Sequence, residues 1–373
     1  MPIYKMDGKK DGQQKYRVRI NYVDNMGKNR QIDRVAYGNA EAKFLEAKLM
    51  KEVKESVPAS RYTVGLLFEE YIEAKKHEVR ETSLDKSKRN IERYILPYVE
   101  NVKIDKLNNV VIQNWKTTMN NLGLGIKTRQ NIFGEFRAMM NYAVRMEYIV
   151  KNPLTSTGNF KDAYDISSHE DKLRYYTPEQ FKKYIDCVRK NAATLSDWGY
   201  YVFFNIAFYT GMRKGEINAL KWTDIKEDKI HVRRSIAQKL KGGDRETPPK
   251  NKSSYRVLQM PTPLIKILDE HKARQKQFKG FSEDLRVCGG IKCLRDSSIS
   301  NKNIQFAKDA GLETIRIHDF RHSHASLLAN EGINIQEIAR RLGHSNIEIT
   351  WNTYSHLYPR EEERAVAILN KIV

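Results

Sequence analysis

The sequence is poor in the features that mark a secreted or membrane protein. It has three cysteines among 373 residues, which is too few, and an odd number, for a disulfide framework. They are Cys187, Cys288 and Cys293. The longest apolar run, Tyr200 to Tyr209, is about half a membrane span and contains Asn205. The opening MPIYKMDGKK holds no apolar signal segment. We therefore expect a protein of the reducing cytoplasm without a membrane span.

Negative charge is also in short supply. Lys and Arg number 66 and Asp and Glu number 46, so the formal net charge is +20, and the isoelectric point is about 9.6. An excess of this size favours a polyanionic partner, most often nucleic acid, over a basic protein that has no such partner. The hydrophobic fraction of 40% is ordinary for a protein with a packed core, and the length suggests two or three domains.

The first pattern lies in residues 1–56. In KYRVRINY, apolar side chains from Tyr16 to Ile20 alternate with Arg17 and Arg19, which predicts a strand with one apolar and one basic face. The elements predicted next are a turn over 24–29, a strand over 30–37 and a helix over 40–55. Such a unit can lie in a DNA groove, or its basic side chains can simply face solvent, and the pattern leaves both open.

Residues 63–153 are predicted to form an all-helical domain. After a linker over 56–62, apolar residues recur at helical spacing with no strand pattern between them. The predicted helices lie near 63–77, 82–100, 108–121 and 125–146. Their polar positions are rich in Lys and Arg, which again favours an anionic partner.

A polar linker over 154–172 separates these helices from a third domain, predicted at 173–373. Thr177, Pro178 and Gln180 form a helix-start signature with a capping box. The predicted helices lie near 177–190, 196–211, 261–277, 298–310, 318–331 and 334–342, and short strands near 222–226, 229–237 and 254–260. The expected fold class is multidomain α+β.

Two stretches of the third domain carry the first candidate functional residues. TGMRKGEINAL places Arg213 at a helix start, where free N–H groups and the helix dipole favour an anion. PPKNKSSYRVLQMP places Lys250 beside a strand, near the turn of a hairpin. Both positions are suited to a negatively charged ligand.

Three further stretches follow in the same domain. HDFRHSHAS places His318 and Arg321 on one face of a helix. LGHSNIEIT places His344 just after a helix end, and TWNTYSHLYP places Tyr354 in a polar segment. The five stretches together predict a site of cations around one hydroxyl.

Such a set suits phosphoryl chemistry. Two guanidiniums can hold two phosphate oxygens, and two imidazoles can exchange protons near neutral pH. An ammonium can protonate a leaving oxygen, and a tyrosine can attack phosphorus and hold it covalently. Fixed cations can stabilise the transition state without a metal, and no Asp/Glu group typical of a two-metal nuclease accompanies them. We expect no metal and no cofactor.

The motifs TGMRKGE, HDFRHSHAS, LGHSNIEIT and TYSHLYP resemble the signature motifs of the tyrosine recombinase family, which includes phage and transposon integrases. All six members of that family's Arg, Lys, His, Arg, His, Tyr set have counterparts in order. The resemblance implies an arm-type DNA-binding domain over 1–56, with a three-stranded sheet and a helix as in integrases of Gram-positive phages and conjugative transposons. It also implies a SAM-like core-binding domain over 63–153 and a mainly helical catalytic domain with a small antiparallel sheet over 173–373.

The resemblance assigns roles at the phosphate. Tyr354 would be the nucleophile that forms a 3′-phosphotyrosine and frees a 5′-hydroxyl. Arg213 and Arg321 would hold the scissile phosphate, and His344 would donate a hydrogen bond to it. The reaction would then conserve the energy of the phosphodiester bond in the protein–DNA linkage.

The resemblance also assigns the proton-transfer roles. His318 would accept the proton of Tyr354, Lys250 would be the general acid for the 5′-oxygen, and Glu216 resembles a carboxylate that orients the site. The alternatives to Lys250 are Lys239, Lys241 and Lys252. Tyr358 is a rival nucleophile by proximity, but the TYSHL context favours Tyr354.

Some histidines and cysteines also permit a metal interpretation. His318 and His322 have the spacing of two ligands on a helix, and His324 follows closely. Because His318 already has a role in the site, we interpret His322 and His324 as packed or hydrogen-bonded beside it. Cys288 and Cys293 resemble half a zinc knuckle without a second half, and we interpret them as ordinary thiols.

The expected function is site-specific recombination of a mobile element, with excision as the reverse of integration. The expected partners are double-stranded DNA at core and arm sites and three further copies of the chain, acting through a Holliday junction. An excisionase or a host DNA-bending protein remains open. The apolar stripe of 361–373 either packs on its own domain or, as is typical of this family, docks on a neighbouring protomer.

Two rival functions are weighed against this one. A type IB topoisomerase would share the chemistry, but the arm-like N-terminal domain argues against it. A non-catalytic DNA-binding protein would explain the basic charge, but not the six-residue set.

Overall fold

The structure is a computed structural model of the chain. It describes residues 3–10, 12–23, 29–55, 62–161, 173–238, 243–249 and 252–358, together with 366, 369 and 370. The chain divides into two compact units, which are called here the N-terminal unit (Met1–Ser167) and the C-terminal unit (Ser168–Val373). The predicted three-domain boundaries stay a prediction.

The N-terminal unit begins with a three-stranded antiparallel sheet and a helix. These elements are β1 (Ile3–Lys10), β2 (Gln13–Val23), β3 (Asn29–Tyr37) and α1 (Asn39–Glu55), with the strand order β1-β2-β3. Val18 and Ile20 are buried together with Leu49 of α1, because alternate side chains of β2 share one face of the sheet. The strand β2, predicted from the alternation, is confirmed, and so are the strand and the helix predicted after it. The strand β1 was implied only by the resemblance, and the predicted turn at 24–29 lies outside the described residues except for its last position.

The opposite face of this sheet is less basic than the sequence suggests. Arg17 Nη2 lies 2.8 Å from Asp33 Oδ2, and Arg19 Nε lies 3.0 Å from Asp33 Oδ1. Both arginines of β2 therefore bind one carboxylate of β3, which lowers the pKa of Asp33. Part of the positive charge of this face is neutralised within the sheet.

The rest of the N-terminal unit is helical, as predicted. Its helices are α2 (Val64–Lys76), α3 (Glu81–Tyr94), α4 (Leu96–Val99), α5 (Asn109–Asn120), α6 (Ile126–Arg145) and α7 (Pro153–Thr157). Trp115 lies in their core, 5.2 Å from Phe136 between ring centroids, and its indole N–H donates to Tyr94 O at 2.8 Å. The predicted helix over 82–100 is divided after Tyr94, because Pro97 cannot donate to a carbonyl of the preceding turn.

The C-terminal unit is mainly helical with small antiparallel sheets. Its helices are α8 (Pro178–Lys190), α9 (Leu195–Thr210), α10 (Lys214–Ala219), α11 (Thr262–Lys276), α12 (Asp296–Asp309), α13 (Asp319–Asn330), α14 (Ile335–Leu342) and α15 (Ile347–Tyr354). Its strands are β4 (Ile225–Lys226), β5 (Lys229–Val232), β6 (Ser235–Ala237), β7 (Arg245–Thr247) and β8 (Arg256–Gln259). They pair in the orders β4-β5-β8 and β6-β7.

The predicted strands of this unit need correction. Trp222–Asp224 is a 3₁₀ turn rather than a strand, because the Asp224 carboxylate accepts the backbone N–H of Lys221 at 3.0 Å and closes the turn. The strand predicted over 229–237 is two strands, β5 and β6, which belong to different sheets. The segment that carries Tyr354, expected to be a polar segment, is the helix α15.

The core of the C-terminal unit surrounds α9, whose residues are almost all buried. Phe208 of α9 stacks on Phe181 of α8 with ring centroids 3.7 Å apart. Phe320 of α13 is fully buried and packs against Phe204 of α9, with ring centroids 5.3 Å apart. Because Phe320 anchors the first turn of α13 in this core, the neighbouring residues of that turn have fixed positions. These neighbours are Asp319, Arg321 and His322.

Candidate active site

Arg213 lies at the junction between α9 and α10. Gly211 ends α9 in the left-handed conformation, and Arg213 then caps α10. The carboxylate of Glu216 accepts the backbone N–H of Arg213 at 2.9 Å and its Nη1 at 3.0 Å. The Arg213 side chain remains 37% exposed. A bound anion can therefore reach it without displacing the core.

Arg321 is held more rigidly than Arg213. It is 3% exposed, and it donates from Nη1 to Gly211 O at 2.8 Å and from Nη2 to Leu342 O at 2.6 Å. Burial and the neighbouring Arg213 and Arg256 lower the pKa of Arg321 to about 9, so it still carries its charge at neutral pH. The arrangement fixes a buried cation between the end of α9 and the end of α14.

Gly343 links this cation pair to the end of α14. It adopts a φ of +68°, and a Cβ added there would lie 3.0 Å from Ser253 O and 3.1 Å from Arg256 Nη1. Its carbonyl accepts Arg213 Nη2 at 3.4 Å. Only glycine combines this backbone conformation with the close approach of the neighbouring chain.

His344 is the residue that follows Gly343 in the chain. Its Nδ1 lies 2.8 Å from Thr350 Oγ1, and Thr350 is fully buried on α15. Burial, Arg321 and Arg213 lower the pKa of His344 to about 4. The ring is therefore neutral at pH 7, and when the Thr350 hydroxyl donates to Nδ1, the other nitrogen carries a hydrogen that it can donate to an anion.

Tyr354 is the last residue of α15 and is 2% exposed. Burial raises its pKa. Its hydroxyl oxygen lies 2.7 Å from Nδ1 of His322. Among the described residues His318, the predicted proton acceptor, forms no hydrogen bond with Tyr354, and its ring meets the ring of His322 edge-on with centroids 5.2 Å apart. Desolvation, His322 and Arg321 lower the pKa of His318 to about 4.

Arg256 is a site residue that the sequence reasoning missed. Its Nη2 lies 2.9 Å from Glu216 Oε2 and its Nε donates to Arg341 O at 2.7 Å, and both side chains of the pair are almost fully buried. A signal was present, because alternation along RVLQ places Arg256 on the same face as the buried Leu258. An arginine on the buried face of a strand requires a buried partner.

The lysine of the predicted set cannot be placed. Lys250 lies outside the described residues, as do Lys239 and Lys241, and Lys252 begins a short 3₁₀ turn. The assignment of the general acid to Lys250 therefore stays a prediction. The catalytic roles of the other five residues also stay predictions, although all five lie in the C-terminal unit.

The histidines and cysteines that permit a metal interpretation have other contacts. His324 Nδ1 lies 2.9 Å from Phe208 O, and Cys288 and Cys293 are buried. No cluster of three His, Cys, Asp or Glu side chains in the described parts of the chain is placed to hold a metal ion. None of the helices described here is long and apolar enough to cross a membrane.

The geometry brings two arginines, neutral imidazoles and a phenol together. Arg321 lies close enough to Arg213 and Tyr354 for both to influence its pKa, and close enough to His344 to lower the pKa of that ring. Two positive charges, imidazoles able to accept or donate a proton, and one potential nucleophile are the groups needed to transfer a phosphodiester to a hydroxyl.

Comparison with known proteins agrees with this chemistry. A model of the phage integrase family matches residues 174–361, which is half of the chain, and a model of the phage integrase N-terminal SAM-like domain matches residues 63–120. The ICEBs1 integrase of Bacillus subtilis (strain 168) is 29% identical over 357 residues, which cover 91% of this chain and 92% of that relative.

Solved structures share the fold at lower identity. The Tn1549 transposon integrase in complex with transposon right end DNA is 20% identical with a TM-score of 0.66, covering 83% of this chain and 99% of that one. A lambda integrase tetramer bound to a Holliday junction is 15% identical with a TM-score of 0.56, covering 92% of this chain and 96% of that one. These likenesses extend over most of the chain.

Proposed function

The chain belongs to the phage integrase family, a family of tyrosine-type site-specific recombinases, and we propose that it integrates and excises the DNA of a mobile element. The observation that carries this proposal is the buried Tyr354, which lies close enough to the fixed guanidinium of Arg321 for each group to influence the pKa of the other. In this reading Tyr354 attacks the scissile phosphorus, and the covalent 3′-phosphotyrosine replaces the phosphodiester bond.

The other site residues serve that transfer. Arg213 and Arg321 hold the non-bridging oxygens, and His344 donates a hydrogen bond to the same phosphate. A lysine, predicted to be Lys250, protonates the 5′-oxygen as it leaves. The transition-state charge is met by fixed cations, so the reaction uses neither a metal nor a cofactor.

The partners follow from the same proposal. Double-stranded DNA binds at a core site, clamped by the regions predicted at 63–153 and 173–373, and at an arm site, held by the region predicted at 1–56. Four copies of the chain act on two DNA sites and exchange strands through a Holliday junction, in the manner of the lambda integrase tetramer. The enzyme works on DNA in the bacterial cytoplasm, where an excisionase or a host DNA-bending protein can set the direction.

A covalent trapping assay tests the proposal. The full chain is incubated in EDTA with nicked duplexes that carry the junction of its own element, so that the cleaved fragment diffuses away. Wild type is expected to form a protein–DNA adduct that survives SDS and disappears with protease, whereas Tyr354→Phe forms none. Tyr358→Phe is the matched control, because Tyr358 lies four residues away with its hydroxyl on Ile333 O, and it should form the adduct. If wild type binds the duplex but forms no adduct, the proposed function is wrong.

A further inference from the structure

The hydroxyl of Tyr354 has a specific partner that none of the sequence motifs assigned. The phenol oxygen lies 2.7 Å from Nδ1 of His322, and the ring centroids of these residues are 5.8 Å apart. Tyr354 is buried and the His322 side chain is 17% exposed, so water competes weakly for this hydrogen bond. His322 is thus the titratable group in direct contact with the atom that forms the covalent bond.

A carboxylate lies on the other side of the same imidazole. His322 Nε2 lies 4.0 Å from Oδ1 of Asp319, one turn earlier on α13, and Asp319 is fully buried. The carboxylate is itself fixed, because its Oδ2 accepts the backbone N–H of Arg316 at 2.9 Å. Phenol, imidazole and carboxylate follow one another in the order of a nucleophile, its base and the group that orients the base.

We propose that His322 accepts the proton of Tyr354 during strand cleavage and that Asp319 orients the His322 ring. The inference rests on the proposed function, in which Tyr354 is the nucleophile. As the bond from Tyr354 Oη to phosphorus forms, the O–H bond breaks and its proton moves to Nδ1. The bond from phosphorus to the 5′-oxygen breaks, and that oxygen takes a proton from the general acid, predicted to be Lys250. In rejoining, the 5′-hydroxyl attacks phosphorus and gives its proton back to the general acid, which lost one in cleavage, and His322 returns its proton to the departing phenolate.

The surroundings of both groups couple this transfer to the formation of the new bond. Burial raises the pKa of Tyr354, so a free phenolate is disfavoured and the proton must leave as the new bond forms. Burial lowers the pKa of His322, and so do Arg316 and Arg321, while Asp319 opposes them. The ring is therefore neutral at pH 7 and has a lone pair to offer. With Asp319 facing Nε2, the hydrogen of the neutral ring belongs on that nitrogen, which leaves Nδ1 as the acceptor.

The same geometry separates the roles of two histidines. His318 contacts the ring of His322 and reaches the surface of the unit, whereas His322 contacts the hydroxyl. The proton acceptor predicted by resemblance is His318. The contacts favour His322 for that step and leave His318 on the side open to a phosphate.

Two substitutions at His322 test the step. The rate of adduct formation on the nicked duplex is measured for wild type, His322→Ala and His322→Asn in the full chain. Asparagine keeps a hydrogen-bonding group near the hydroxyl but cannot take up its proton. We expect both variants to bind DNA like wild type and to cleave roughly 10²–10⁴-fold more slowly, which is the range for loss of a proton-transfer group. The matched control is His356→Ala, an exposed histidine two residues past Tyr354, and it should cleave at the wild-type rate.

The outcomes are distinguishable. A wild-type rate for His322→Ala, or a faster one, overturns the proposal, and so does a wild-type rate for His322→Asn, because a hydrogen bond alone would then suffice. If wild type itself forms no adduct, it is the proposed function that fails.

A second measurement separates proton transfer from a merely structural role. Tyr354 is replaced by 3,5-difluorotyrosine, whose phenol is more acidic and needs less help to lose its proton. If His322 is the acceptor, the factor by which His322→Ala slows adduct formation should be at least tenfold smaller in the fluorinated protein than in the protein with an ordinary Tyr354. An unchanged deficit would mean that His322 only supports the local fold.

Discussion

The guanidinium of Arg256 binds the carboxylate of Glu216 inside the C-terminal unit, with Nη2 2.9 Å from Oε2 and Nη1 3.3 Å from Oε1. The same carboxylate accepts two bonds from Arg213. Glu216 therefore joins an arginine that is predicted to hold DNA to one that is buried on β8. Burial alone would raise the pKa of Glu216, but its pairs with Arg256 and Arg213 lower it, and its single negative charge offsets part of the positive charge of Arg213, Arg256 and Arg321.

Breaking this pair should be costly. We expect Arg256→Leu to lower the free energy of unfolding of the C-terminal unit by about 3–5 kcal/mol, because Glu216 keeps its charge in a buried place with one guanidinium fewer. Urea unfolding measures the change. Arg340→Ala is the control, since it removes an exposed ion pair with Glu337 and should cost less than about 1 kcal/mol. Equal losses in the two variants would contradict the buried-pair argument.

Replacing Arg321 by lysine should separate binding from cleavage. The guanidinium fork donates to Gly211 O and Leu342 O at once, and an ammonium on a flexible chain cannot keep both bonds and also face a phosphate. Losing one charge-assisted bond costs about 1.5–3 kcal/mol, so adduct formation should slow roughly 10- to 150-fold. DNA affinity, which is spread over many phosphate contacts, should stay within about twofold.

The control for this prediction is Arg274→Lys, which lies on α11 in an exposed pair with Glu270 and should leave the cleavage rate unchanged. A weaker affinity that accounts for the whole loss of cleavage would show that Arg321 acts in binding instead.

The ion pairs of the N-terminal sheet predict a gain of affinity. Asp33→Asn removes the carboxylate that binds Arg17 and Arg19, so both guanidiniums become available for phosphates. We expect tighter binding of duplex DNA and a salt dependence steeper by about 1–2 in log–log slope, because each added phosphate contact contributes about 0.9. Asp7→Asn makes the same change of net charge at an exposed position of β1 and should raise the slope less. A slope unchanged by Asp33→Asn would mean that this face does not contact DNA.

Acid should destabilise the C-terminal unit through its buried histidines. Burial is the main cause that lowers the pKa of His271 to about 4 and that of His324 to about 3, from an unfolded value of 6.5. Between these values the unfolded chain binds more protons than the folded chain. The contribution of each histidine to the free energy of unfolding is therefore complete above pH 6.5 and is lost as the pH falls toward 4 for His271 and toward 3 for His324. Each group contributes a slope of at most about 1.4 kcal/mol per pH unit.

Urea unfolding at pH values from 7 down to 5 checks this slope. His271→Gln should reduce it by the share of one histidine, whatever that substitution does to the absolute stability. A wild-type stability that does not vary over this range would contradict the prediction.

Local signals in the sequence predicted local structure well. The capping box of Thr177 and Gln180 forms at the start of α8, and the alternation from Tyr16 to Ile20 forms β2 with its apolar face buried. Both signals depend on residues that are neighbours in the chain. The strand expected over 222–226 is confined to Ile225–Lys226, because the side chain of Asp224 closes a turn, an interaction that β-propensity does not include.

The sequence by itself determined that the chain is basic, that it has helical regions flanked by short strands, and that it carries five motifs in the order of a tyrosine recombinase. The tertiary structure decided which side chains of those motifs meet. Arg256 reaches Glu216 across 40 residues, and His322 reaches Tyr354 across 32, so no periodicity could reveal either contact. The contact of His322 depends on packing, because Phe320 packs against α9 and so sets the position of α13. That position brings His322 to the hydroxyl of Tyr354.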